Sequence, residues 1–164
     1  MRKSILRFSA VALSLLVVGS CFAVDPAVKS TDIPKLSQEE QHATASKRIA
    51  ALFTRSHYKQ IHLDDAFSEK IFDTYLESLD YSRNLFLQSD IDGFKGYRKQ
   101  FDNALSDGDL SIPYAMYNLS MQRRYERLVY ALKLLDKPFD FSSDDSYQFD
   151  RKGAKWPTTT AELD

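Results

Sequence analysis

Apolar residues recur at spacings of three and four along most of the chain between positions 37 and 138, so the pattern predicts helices rather than strands. The first is expected from Ser37, which with Glu40 has the spacing of a capping box, and it places Ile49, Leu52 and Phe53 on one face before ending near His57. A second is predicted from an Asp64 cap, with Phe67, Ile71, Tyr75, Leu76 and Leu79 at spacings of three and four and Asp80-Tyr81-Ser82 closing it. The third, capped by Ser89 or Asp90, carries Ile91, Phe94, Tyr97, Phe101 and Leu105 on one stripe as far as the turn signal Asp107-Gly108-Asp109. Gly93 and Gly96 weaken it, each costing about 1 kcal/mol relative to alanine, and are read as sites of close packing against a neighbour. The fourth and longest opens with Ser111 and Pro113 and bears Tyr114, Tyr117, Met121, Tyr125, Leu128, Leu132 and Leu135 until Lys137-Pro138 stops it. The expected fold is therefore all-α, four main helices over residues 37–138.

Beyond Phe139 the periodicity fails. Phe141, Tyr147, Phe149 and Trp156 stand at irregular spacing among Asp, Ser, Lys and Thr, which reads as a non-helical arm over 139–164, either pinned by its aromatics or an exposed linker. Thr160 looks like the cap of one more helix, over Thr160 to Leu163.

At the other end, Arg2, Lys3 and Arg7 precede an apolar run from Phe8 to Val18 and then small residues, the three parts of a secretory signal over 1–23. That run is too short for a hydrocarbon core needing about 20 helical residues. Two processing readings are open. Cys21 and Ala23 suit ordinary cleavage between Ala23 and Val24, whereas Val18-Gly19-Ser20-Cys21 is a loose lipobox that would make Cys21 a lipid anchor. The first leaves a linker at 24–36 and a mature chain without cysteine, stable by packing alone in an oxidising compartment. Losing Arg2, Lys3 and Arg7 leaves 19 Lys plus Arg against 23 Asp plus Glu, a formal −4 that disfavours nucleic acid.

Candidate chemistry is sparse. The glycines form no phosphate-cradling loop, and Glu39-Glu-Gln-His42 has the spacing of one half of a di-iron motif without the second half. His57 and His62 bracket a turn and would need a third ligand to hold zinc; they read as surface histidines bonded to Asp64 or Asp65. Asp90-Ile-Asp92-Gly93 departs from a calcium loop at its fifth position, Phe94. No catalytic, cofactor or metal residue is assigned. Arg123, Arg124 and Arg127 form a basic patch, either a solvated face with local ion pairs or a surface for acidic groups of another domain, and Asn118-Leu-Ser120 matches a glycosylation sequon inside a helix.

The mixed-chemistry runs Gln41–Thr44, Phe53–Tyr58, Leu79–Ser82, Tyr117–Leu119, Arg123–Arg127, Tyr130–Leu132, Lys137–Pro138 and Trp156–Pro157 resemble the opening domain of the tail-specific (C-terminal processing) proteases of the bacterial periplasm. The similarity runs from about Ile33 to Leu163. In that family a helical N-terminal domain precedes a PDZ domain that senses substrate and a serine protease core with a Ser-Lys dyad, the lysine acting as general base. The resemblance implies that dyad and PDZ glycines lie beyond Asp164, that the chain is a fragment or truncated form inactive alone, and that its partners are those missing domains, protein substrates and a lipoprotein adaptor of helical repeats. It also implies a periplasmic location. Tyr114, Tyr117 and Tyr125 with Arg123, Arg124 and Arg127 are the expected interdomain or partner surface. The alternative is a free-standing periplasmic binding module without enzymatic activity.

Overall fold

The structure, a computed structural model, describes residues 33–142, 144 and 146–164. The signal, its cleavage site at Ala23 and Val24, Cys21 and the linker up to residue 32 lie outside the described residues. Within them the fold is helical: α1 (Glu40–Ser56), α2 (Asp65–Leu79), α3 (Gln88–Phe94) with a 3-10 turn at Lys95–Tyr97, α4 (Phe101–Asp107), α5 (Ser111–Leu134) and α6 (Thr160–Leu163), and no strand is formed among the described residues. None of these helices is long and apolar enough to cross a membrane.

The second and fourth elements follow their sequence signals closely. Asp64 caps α2 by accepting the Phe67 amide at 2.9 Å, which satisfies one of the donors that a helix start leaves without an internal partner. Pro113 sits in the first turn of α5, where no amide is missed. The buried ridges, however, coincide only in part with the apolar patterns. In α2 the buried ridge is Ser68, Phe72, Leu76 and Leu79, with Ile71 and Tyr75 flanking it. In α5 it is Met116 and Ser120, while Leu128 and Leu135 are exposed. Helix α5 carries apolar residues on more than one face, so periodicity alone does not choose between them.

Three expectations are corrected. Ser37 and Glu40 form no capping box: α1 starts at Glu40, and the Glu39 amide is accepted by His42 Nδ1 at 3.2 Å. The third helix is two helices. Ser68 Oγ donates to the Arg98 carbonyl at 3.0 Å and accepts the Phe101 amide at 2.8 Å, so a buried hydroxyl from α2 takes the place of helix hydrogen bonds at the break. Gly93 and Gly96 do not admit a neighbour, for nothing lies within 4 Å of where their Cβ would be. The glycine that matters is Gly108, at φ 70°, where a Cβ would stand 2.7 Å from the Ala43 carbonyl oxygen. It ends α4 and lets the chain turn against α1.

The core is Phe72, Leu76, Leu79, Phe86, Ile91, Phe101 and Met116. Phe86 and Met116 are fully buried. Phe72 meets Phe101 edge-on at 5.6 Å, the arrangement that sets a positive ring edge against a negative face. Phe86 comes from the α2–α3 connection, and Asp80 shapes that connection: its buried carboxylate accepts the amides of Asn84, Leu85 and Phe86, each at 3.0 Å. These bonds satisfy amides that would otherwise enter the core unpaired.

The last segment divides. The described residues of 139–150, including Phe141, Tyr147 and Phe149, are exposed. Residues 151–164 lie against the body: Arg151 Nε donates to the Ser82 carbonyl at 3.2 Å, the Gln88 amide to the Pro157 carbonyl at 2.8 Å, and Trp156 packs edge-on against Phe86 at 6.3 Å. Helix α6 is capped by Thr159 rather than Thr160.

Candidate functional site

The main concavity follows from the acidic row of α2. Glu69, Asp73 and Glu77 recur every four residues and so share one edge of the helix. Opposite them stand Lys95, Arg98 and Lys99 from the 3-10 turn and its exit, with Lys152 from the last segment. Between these rows lies a groove of about 790 Å³ whose apolar lining includes Phe72, Leu76, Ile91 and Trp156.

Ion pairs span the groove. Arg98 grips Asp73 through Nε at 3.1 Å and Nη2 at 2.6 Å, and Lys152 Nζ reaches Glu77 at 3.2 Å. These hydrogen-bonded carboxylates hold the Arg98 guanidinium and the Lys152 ammonium above their ordinary values. Arg83 stacks its guanidinium 5.0 Å from the Trp156 ring and donates to the Ala154 carbonyl. The lining sets apolar area at the floor and charge at the rim, an arrangement suited to contact with another surface.

On α5 the expected surface residues are brought together, but the arginines are engaged by the fold on three different tasks. Arg123 binds Asp90 of α3 bidentately, at 2.9 and 2.8 Å, and Glu126 at 2.8 Å. The Asp90 hydrogen bonds raise its pKa beyond the ordinary arginine value. Arg124 Nη2 donates to the carbonyl of Leu79, the last residue of α2, at 2.7 Å. Arg127 donates to the Leu163 carbonyl at 2.7 Å and pairs with the Asp164 carboxylate. One helix face therefore clasps α3, α2 and α6. The planar, multidentate guanidinium is suited to this and an ammonium is not.

The tyrosines of α5 are half-buried. Tyr114 OH lies 2.9 Å from His42 Nδ1, and Tyr117 packs on the core. Tyr75 of α2 donates to the Pro113 carbonyl at 2.9 Å, and burial, then the neighbouring Tyr117 and Tyr114, push its phenol above the ordinary value. Asn118, the sequon residue, uses its amide on Leu36: Oδ1 accepts the Leu36 amide at 2.9 Å and Nδ2 donates to its carbonyl at 2.8 Å.

The remaining candidates stay apart. His57 Nδ1 lies 2.9 Å from the Lys59 carbonyl oxygen and 3.2 Å from the Lys59 amide nitrogen, so it is held by the turn and not by Asp64 or Asp65. Among the described residues no group of three or more His, Cys, Asp or Glu side chains is assembled for a metal ion. Asp90 and Asp92 serve local structure, Asp90 by accepting the Leu87 amide at 2.9 Å and Asp92 by accepting from Gln88 at 3.0 Å. Sequence reasoning placed Asp80 at the end of α2 without its three amide contacts, and it missed Ser68 and the groove, which depend on residues from separate elements converging.

Comparison with known proteins gives two findings. The sequence profile described as "Tail specific protease N-terminal domain" matches residues 49–164. A tail-specific protease of Haemophilus influenzae is 44% identical over 165 aligned residues, which cover 99% of this chain and 24% of that protein. The chain spans about a quarter of the length of that curated relative.

Proposed function

Since this chain belongs to the tail-specific protease N-terminal domain family, we propose that it is the exported, non-catalytic front domain of a periplasmic serine endopeptidase that acts on proteins from their C-terminal ends. The observation that carries the reading is the family match together with the share of the relative that the chain spans: a quarter of such a protein, with helices and no strand among its described residues, leaves the dyad and the PDZ domain to the remaining three quarters. The described serines with buried environments fit a structural role, since Ser46, Ser68 and Ser120 donate their hydroxyls to main-chain carbonyls. The signal-like residues 1–23 support export.

In this role the domain forms part of the wall around the protein substrate. Its aromatic and apolar surfaces, including the outer edges of Tyr114, Tyr117 and Tyr125, adjoin the PDZ and protease domains, and a helical-repeat lipoprotein adaptor is a further partner. Two measurements test this. The native product, captured from its host with an antibody to the Phe53–Tyr75 region, is expected to have an intact mass several times the 18.8 kDa of this chain. A product of the chain's own length would instead favour a free-standing binding module. The purified chain is expected to cleave no peptide substrate, and turnover by it would overturn the non-catalytic assignment.

A further inference from the structure

Helix α1 carries a second surface, independent of the protease reading. Its buried positions are Ser46 and Ala50, which face α4, whereas Ile49, Leu52 and Phe53 are 54%, 61% and 44% exposed. The three share one face, as the spacing predicts, but that face is turned outward, and the geometry shows why the helix keeps it outside. Ser46 Oγ donates to the Leu105 carbonyl at 2.9 Å, and Gly108 packs so closely on Ala43 that no side chain fits between them. Rolling α1 to bury the stripe would break both contacts. Exposure of Ile49, Leu52 and Phe53 is built into the seat of the helix.

Charge at the edge of the stripe is one-sided. At 100° per residue the order round the helix is Ala50, Ser46, Phe53, Ile49, Leu52, Arg48, Arg55, so the α4 contact borders one edge and two arginines border the other. From Gln41 to Leu63 there are four lysines and arginines, Lys47, Arg48, Arg55 and Lys59, and no carboxylate. Arg48 and Arg55 are exposed and make no ion pair with another described residue, in contrast to Arg98, Arg123 and Arg127.

We propose that this face of α1 docks an amphipathic helix of a separate protein whose own apolar stripe is edged by aspartates or glutamates. Leu52 and Ile49 would supply the apolar contact, and Arg48 and Arg55 would meet the carboxylates along the one open edge. A helix lying on an anionic bilayer has cations on both sides of its apolar stripe, whereas here one side is closed by α4. In a second copy of the chain the acidic row of α2 is not free to form that edge, because it is already paired with Arg98, Lys99 and Lys152.

The test uses the full chain and two synthetic helical peptides of about 20 residues, each with a leucine stripe, one edged by glutamates and one by lysines. Binding is read by fluorescence anisotropy at low and high salt. The glutamate-edged peptide is expected to bind, to weaken with salt, and to weaken at least tenfold with Leu52→Ser. The double variant Arg48→Glu, Arg55→Glu is expected to reverse the preference toward the lysine-edged peptide, which a merely sticky apolar patch would not do. Circular dichroism checks that both variants keep the fold, as substitutions at exposed positions should. Equal binding of the two peptides would overturn the proposal, and so would binding of neither. Anionic phosphatidylglycerol vesicles bound in a Leu52-dependent manner, or Leu52-dependent self-association in light scattering, would overturn it in favour of a membrane or of a second copy.

Discussion

The hydroxyl of Ser68 stands 2.8 Å from the amide nitrogen of Phe101, thirty-three residues away, and it is this contact that divides the third apolar stripe into α3 and α4. The same oxygen donates to the Arg98 carbonyl. Ser68→Ala leaves a buried donor and acceptor unpaired and is expected to cost about 2–3 kcal/mol in urea unfolding, with faster hydrogen exchange at Phe101. Unchanged stability would mean that water replaces the hydroxyl at no cost.

The glycines should respond with opposite signs. Gly108→Ala forces a side chain into the left-handed region and against the Ala43 carbonyl, and should destabilise by about 2–3 kcal/mol. Gly93→Ala, with open space around it and a helical backbone, should stabilise by up to about 1 kcal/mol. Thermal melts of the two variants check this, and a loss of stability in Gly93→Ala would reject the open-space assignment.

Arg123→Met strands the Asp90 carboxylate, whose side chain is 9% exposed, and should cost about 1–3 kcal/mol. A double-mutant cycle with Asp90→Asn should return a coupling of about 1–2 kcal/mol. Arg123→Lys is expected to recover only part of the loss, since an ammonium cannot span both carboxylate oxygens and Glu126. Full recovery by lysine would show that charge alone matters there.

Glu162 gives the domain's last turn its pH response. Its carboxylate accepts the Thr158 amide and the Thr158 hydroxyl, each at 2.7 Å, and these bonds, the amide first, hold its pKa below the ordinary glutamate value. A carboxyl depressed in the folded state contributes above the unfolded value and loses that contribution as pH falls through the folded one. Thr158 should therefore keep its amide shift from neutral pH down to the ordinary carboxylate range and lose it below, in an NMR titration with a midpoint under 4.5. Glu162→Gln should remove the titration. A midpoint above 4.5 would contradict the assignment.

How much was legible in the sequence varied with how local the signal was. Asp64, Pro113 and the stop near Lys137 act on their own helices, and they stand where the pattern put them. The inward faces were harder to read: Phe72 and Met116 sit at the centre of the core, yet Tyr75, Leu128 and Leu135 fit a helical period equally well. Which face is buried is decided by partners from elsewhere in the chain. The α3–α4 break has the same origin, because a serine that is unremarkable in α2 becomes a junction only once α4 lies against it. The arginines of α5 read as an open patch because Asp90, Leu79 and Leu163, their partners, are distant in sequence.

Residues 151–164 relate to the rest of the domain as a peptide relates to its receptor. Their contacts to Ser82, Gln88, Phe86 and Arg127 form a seam, and the stretch 139–150, exposed at its described residues, is the tether that keeps the local concentration of the peptide high. Doubling the length of such a tether costs only about 0.6 kcal/mol. Insertions there should leave the seam closed, and a single backbone cut should yield a two-piece complex whose stability depends on dilution.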